Sequence, residues 1–206
     1  IDGPRGQISS LVFLADGKHI VCACKAEKTI QMWNIEDHGE TEPLTNLNAA
    51  VNVIASSKDG KLIVTGDVDG KVVVWDTSLQ KRCEAAERHG RMVTALDVSS
   101  HVTSGSNDGT VVVWKMGEPG FPLVQGPLMH HGSISVSSVK FSPAGSHIAS
   151  ASAHWGCSVK IWHTRTGDQI ASIRIDSSPT HSLAWSSDGR RLFAGCSNGS
   201  ISCFDT

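Results

Sequence analysis

The sequence predicts an all-β protein: a β-propeller of four-stranded antiparallel blades, about five of them present, four complete and a fifth with three strands. Two observations predict it. Aligned on the end of each unit's third strand, Trp33, Trp75, Trp114, Trp162 and Phe204 recur at gaps of 42, 39, 48 and 42 residues, and self-similarity at such a period marks a repeat architecture. In every unit but the fourth, short apolar runs alternate with Asp-Gly or Asn-Gly turns at even spacing, and no segment with helical periodicity competes. The units run approximately over residues 1–47, 48–88, 89–130, 131–176 and 177–206 of a single domain covering 1–206.

The third unit shows the plan most fully. Val93 to Val98 reads as a short apolar strand and Val102 to Ser106 as a second. Asn107-Asp108-Gly109 makes the hairpin between the second and third, because Asp-Gly accepts positive φ. Thr110 to Trp114 is apolar on both faces, as a strand covered on both sides must be. The first unit repeats the pattern from Ile8 through T-I-Q-M-W, the second through K-V-V-V-W, the fourth through S-V-K-I-W and the fifth through I-S-C-F-D-T. Lys81 to Glu87 and Gln169 to Ile175 are candidate outer strands. The uneven gaps have local origins: the third unit shortens its first turn to Ser99-Ser100-His101, and the fourth lengthens the loop that carries His154-Trp155-Gly156.

His89, Ser104, Asp108 and Trp114 form an ordered polar set in the third unit. A buried indole N–H needs an acceptor, a hydroxyl can donate and accept, and an imidazole can link a hydroxyl to a carboxylate. These residues and spacings resemble the Trp-Ser/Thr-His-Asp tetrad of WD-repeat β-propellers, and the resemblance extends over nearly the whole chain. It implies a structural tetrad. The same trio of Ser, His and Asp could suggest a hydrolase, but Ser104 lies on a strand with no G-x-S-x-G elbow. Other units depart from the pattern. The second has Thr65, Asp69 and Trp75 but Leu47 at the histidine position. The fourth has His131, Ser150 and Trp162 without an aspartate. The fifth has Ala194, Asn198 and Phe204, and the first has Trp33 and Glu27 with Cys22 or Ala23 at the hydroxyl position.

Composition narrows the function classes. Eighteen Lys and Arg stand against twenty Asp and Glu, a net charge of −2, so no electrostatic footprint for nucleic acid or an anionic membrane is present. No apolar run reaches the length of a membrane helix, and a cytoplasmic location is expected, with the nucleus as the alternative. Six cysteines include no C-x-x-C, and reduced thiols in a core are expected, although Cys196 and Cys203 flank one turn and could approach each other. No cofactor, metal or catalytic motif is expected.

The resemblance implies a non-enzymatic scaffold that binds a partner protein or peptide. The partner face in that family is lined by the loops before the first strands and between second and third strands. Carried over by position, it holds Arg88, Arg91, Met92, His130, His131, Lys25, Glu27, Asn107, His154 and Trp155. Arg, Met and Trp are types enriched in interface cores. A glycan-binding propeller is an alternative, weakened by the lack of tyrosine. The substrate-recognition part of a ubiquitin ligase or a signalling protein is another. The W-D-x-R element of ligase receptors is not matched, since Trp75-Asp76 is followed by Thr77-Ser78 and Trp162-His163-Thr164-Arg165 lacks the aspartate. Seven blades are commonest in the family, so this stretch is expected to be part of a propeller, with flanking blades or another chain covering its open ends.

Overall fold

The computed structural model describes residues 7–36, 47–78, 81–84, 89–116, 123–129, 134–154, 158–175 and 178–206. These residues form eighteen strands in five antiparallel sheets, each a meander of sequential strands. Blade 1 holds β1 (Ile8–Phe13), β2 (His19–Cys24) and β3 (Thr29–Asn34). Blade 2 holds β4 (Val51–Ser56), β5 (Leu62–Asp67), β6 (Val72–Asp76) and β7 (Lys81–Glu84). Blade 3 holds β8 (Val93–Val98), β9 (His101–Ser106), β10 (Thr110–Lys115) and β11 (Leu123–Met129). Blade 4 holds β12 (Val136–Phe141), β13 (His147–Ser152), β14 (Ser158–His163) and β15 (Gln169–Arg174). Blade 5 holds β16 (Thr180–Trp185), β17 (Arg191–Cys196) and β18 (Ile201–Asp205). Among the described residues the first sheet therefore has three strands, like the fifth.

The core lies between blades. Val21, Ile30 and Met32 of blade 1 pack on Val51, Ile54, Ile63 and Trp75 of blade 2. Val64, Val72 and Val74 of blade 2 pack on Val93, Leu96, Val102 and Trp114 of blade 3. Blades 3 and 4 meet through Val111, Val113, Val136, Ile148 and Trp162. Blades 4 and 5 meet through Val159, Ile161, Leu183 and Leu192. The strands of blades 2, 3 and 4 thus have apolar cover on two faces, which explains sequences such as V-V-V-W that do not alternate.

A polar device recurs at every seam. Each inner strand carries a β-bulge at its second residue: Ser9, Asn52, Thr94, Ser137 and His181. A bulge re-aims its side chain, and here four of the five reach the next blade. Ser9 donates to the Val51 carbonyl at 2.6 Å, and Asn52 to Val93 at 2.9 Å. Thr94 donates to Val136 and Ser137 to Thr180, each at 2.5 Å. His181 instead contacts the Ser197 hydroxyl at 2.6 Å within its own blade.

The hairpins between second and third strands differ in detail from the Asp-Gly expectation. In blade 3 only Gly109 has positive φ, at 80°, and the Gly109 amide donates to the Ser106 carbonyl. This is a three-residue loop closed by a left-handed glycine, and Asp108 keeps an ordinary conformation. Cys196 and Cys203 do not approach each other: Cys203 pairs with Phe193 across the β17–β18 ladder and is exposed. Cys196 joins the cluster facing blade 4, so the two thiols leave opposite faces of the sheet. Of the described cysteines, Cys22, Cys24 and Cys196 are buried and Cys203 is exposed, and no disulfide joins them to one another.

Candidate functional site

Blade 3 orders its polar side chains into a chain of hydrogen bonds. The Trp114 indole N–H donates to Ser104 Oγ at 2.8 Å. Ser104 Oγ lies 2.7 Å from His89 Nε2, and His89 Nδ1 lies 2.6 Å from Thr110 Oγ1. The Thr110 hydroxyl donates to Asp108 Oδ1 at 2.5 Å. With the His89 proton on Nδ1, each hydroxyl donates once and accepts once, and the run ends on the carboxylate. The carboxylate also takes the amides of Gly90 and Thr110, each at 2.7 Å.

Two features depart from a simple histidine–aspartate link. His89 Nδ1 is 3.6 Å from Asp108 Oδ2, so the imidazole reaches the acid through Thr110 rather than directly. The Thr110 hydroxyl is two residues past Asp108, on the strand beyond the turn, and no spacing argument had singled it out. Electrostatics follow from burial. Desolvation lowers the His89 pKa, only partly opposed by the Asp108 charge, which keeps the ring neutral. Burial alone would raise Asp108, but the Thr110 hydroxyl and the Thr110 and Gly90 amides outweigh it and hold the carboxyl below its ordinary value. Ser104 has no exposed surface, and its hydroxyl is engaged on both sides, by the Trp114 indole and the His89 ring.

The neighbouring blade positions this network. Gly70, in the β5–β6 turn of blade 2, has φ of 88°, and its carbonyl accepts the His89 amide at 3.0 Å. A Cβ on Gly70 would lie 2.3 Å from the His89 carbonyl oxygen and 2.7 Å from that of Arg91. Only glycine permits this approach.

The other blades keep parts of the same arrangement. Trp75 donates to Thr65 Oγ1 at 2.9 Å and Trp162 to Ser150 Oγ at 2.8 Å. In blade 1 Cys22 occupies the hydroxyl position, and the buried Trp33 indole nitrogen has no hydrogen-bond partner. In blade 2, where Leu47 replaces the histidine, a cavity of about 90 Å³ lies between Leu47, Thr65 and Trp75.

The described candidate partner residues lie in loops before first strands (Arg91, Met92) or between second and third strands (Lys25, Glu27, Asn107, His154). Arg91 is exposed and Met92 half-buried. Together with Val68, Asp69 and Gly90 they line a groove of about 590 Å³ between blades 2 and 3. Lys25 is half-buried, Glu27 and His154 are exposed, and Asn107 is half-buried. The Asn107 side-chain oxygen accepts from Ser135 Oγ of blade 4 at 2.5 Å, so it ties two blades together. Arg88, His130, His131, Trp155 and Gly156 lie outside the described residues. Among the described residues no three His, Cys, Asp or Glu side chains gather as a metal site, and no helix is long and apolar enough to cross a membrane.

Comparison with known proteins gives a consistent picture. A family model described as nucleolar protein 10-like, N-terminal domain, matches residues 7–204. The small ribosomal subunit protein RACK1y of Oryza sativa subsp. japonica is 30% identical over 182 residues, covering 80% of this chain and 49% of that protein. RACK1 of Drosophila melanogaster is 28% identical over 210 residues, covering 97% and 51%. Human WD repeat-containing protein 18 is 23% identical over 210 residues, covering 97% and 46%. The chain spans about half the length of these relatives.

Proposed function

The chain belongs to the WD-repeat β-propeller family, as a nucleolar protein 10-like N-terminal domain, and on that premise we propose that it is a non-enzymatic platform for a partner protein or peptide. The observation that carries this reading is the groove between blades 2 and 3. There an exposed arginine, a half-buried methionine and the Asp69 carboxylate share one polar-rimmed depression. Arginine and adaptable apolar side chains at the centre of a concave patch are the usual anchors of protein interfaces. Lys25, Glu27, Asn107 and His154 belong to the proposed face, and Arg88, His130 and Trp155 complete it by position in the repeat.

Capture of partners by the complete protein tests the reading. Arg91→Ala combined with Met92→Ala should weaken binding at least roughly tenfold, as loss of hot-spot anchors does. Lys58→Ala and Arg190→Ala, in the turns at the other end of the blades, should leave it unchanged. The reverse pattern would move the partner surface to that other end. The expected cytoplasmic location is part of the proposal. Imaging of the tagged protein checks it, and a nucleolar signal would replace it.

Two sheet faces support a further part of the reading. Ile8, Leu11 and Phe13 of β1 are about half exposed or more, and Ile201 of β18 is 75% exposed. At the matching positions of blades 4 and 5, Phe141 and Leu183 are buried at seams with the preceding blade. Further blades or another chain would cover these faces. Expressed alone, the 206 residues should self-associate, and Leu11→Lys with Phe13→Lys should give a monodisperse species in light scattering.

A further inference from the structure

We propose that the cavity in blade 2 is a binding pocket for one imidazole-type ring, presented as a histidine side chain by a partner segment. The argument is internal to the repeat. In blade 3 the space between Ser104, Trp114 and the strand beyond the turn is filled by the His89 ring, which stands edge-on to Trp114 at 6.4 Å between ring centres. Blade 2 keeps the walls: Thr65 stands where Ser104 stands, Trp75 where Trp114 stands, and Val73 where Val112 stands. It lacks the ring. Leu47 occupies the histidine's place in the repeat, and about 90 Å³ remains open beside it.

The chemistry of the walls selects the occupant. Thr65 Oγ1 already accepts the Trp75 N–H at 2.9 Å, so its own proton is what it can offer. That proton has the Val73 carbonyl at 3.5 Å, the outer limit of a hydrogen bond. Ser104 instead gives its proton to a ring nitrogen at 2.7 Å. A ring nitrogen entering blade 2 would improve the Thr65 bond in the same way. On the other side the Asp67 carboxylate lines the cavity, with Oδ1 taking the Asp69 and Lys71 amides at 2.9 and 2.8 Å. It can accept a ring N–H. Leu47, Val73 and Trp75 supply apolar surface for the ring faces. Lys71 and Asn48 also line the pocket, and within it the Thr65 donor, the Asp67 acceptor and the apolar surface of Leu47, Val73 and Trp75 together suit imidazole better than an aliphatic side chain or a phenyl ring. Asn48 at the rim is exposed, so the site is reachable.

This inference stands apart from the partner surface proposed above, because a small-molecule titration reads the pocket whether or not Arg91 and Met92 bind anything. The probe is N-acetylhistidine amide, with N-acetylleucine amide as control, and the readout is the Trp75 indole N–H resonance, assigned by its loss in Trp75→Phe. A saturable shift in the millimolar range is expected with the histidine analogue alone, as suits a small fragment in a preformed pocket. Thr65→Val should weaken it roughly tenfold by removing the hydroxyl donor. Leu47→His should abolish it by filling the space from within, and Leu47→Phe provides a second block if that variant does not fold. No saturable shift up to about 100 mM, an equal response to the leucine analogue, or unchanged binding in both Leu47 variants would overturn the proposal.

Discussion

Blade 3 ties its inner strands with five polar side chains, while blade 2 manages with the single Trp75–Thr65 pair beside a cavity, yet both keep their tryptophans buried, at 1% and 6% exposure. What the two share is the seam. Blade 2 packs valines and isoleucines against its neighbours and blade 3 valines and Leu96, and each sends a bulged side chain, Asn52 or Thr94, to the next blade's carbonyl. The comparison teaches that a blade with packed seams keeps its tryptophan buried whether or not the histidine network is present.

The largest effect should come from His89→Ala. It leaves the Ser104 and Thr110 hydroxyls short of a partner in a buried space and removes the ring beside Trp114, so a loss of about 3 kcal/mol is expected in denaturant unfolding. Leu47→Ala in blade 2, where no network exists to break, should cost less. The network also predicts a histidine-linked pH dependence, whereas blade 2 carries Leu47 at that position of the repeat. The folded-state pKa of His89 is lowered, so the unfolded chain binds its proton more readily. Stability is then fully present above the unfolded value of about 6.5 and falls as the pH drops below it. Asp108 is shifted downward too, so its contribution disappears only at lower pH, as the carboxyl protonates. An unfolding midpoint that stays flat from pH 7 to pH 5 would remove His89 from this account.

Gly70→Ala should follow closely, at about 2–3 kcal/mol, because positive φ and backbone contacts with His89 and Arg91 both oppose a Cβ. Gly199, at φ of 82° in the matching turn of blade 5, has nothing within 4 Å of a built Cβ. Gly199→Ala should cost only about 1 kcal/mol, for the backbone conformation alone. Equal losses would show that Gly70 does not anchor the blade 2–blade 3 seam.

Asp108→Ala should cost roughly 1–3 kcal/mol, since the Thr110 hydroxyl and the Thr110 and Gly90 amides lose their acceptor. Asp69→Ala, at the same place in blade 2 but exposed, should change the midpoint by less than about 0.5 kcal/mol. An unchanged midpoint in Asp108→Ala would rule the network out as a stabiliser. The smallest effect is a gain: Cys22→Ser places a hydroxyl where the buried indole nitrogen of the half-buried Trp33 has no hydrogen-bond partner and should add about 0.5–1 kcal/mol. No gain would mean that the two groups do not meet.

The repeat itself was legible because burial on both faces and tight turns are local demands. Trp33, Trp75, Trp114, Trp162 and Phe204 stand near the ends of the third strands, and the glycines of the Asp-Gly and Asn-Gly turns take positive φ. The fourth strand of blade 3 was expected but given no range, because Gly126 and Pro127 argue against a strand, and the structure accommodates them in β11 with irregular register against β10. In the candidate site, spacing drew attention to His89, Ser104, Asp108 and Trp114. It gave no sign of Thr110, since a threonine opening a strand is ordinary.

By itself, then, the sequence determined the period, the strands, the turn glycines and the family, because each is written within one unit of about 42 residues. The tertiary structure decided what happens between units. Ser9, Asn52, Thr94 and Ser137 find backbone carbonyls 41 to 43 residues away, acceptors that every residue carries and no pattern can single out. It also decided that Leu47 leaves its neighbours' space unfilled, because a void is set by how far the surrounding strands relax toward each other, and that balance of packing against strain exists only once the blades have met.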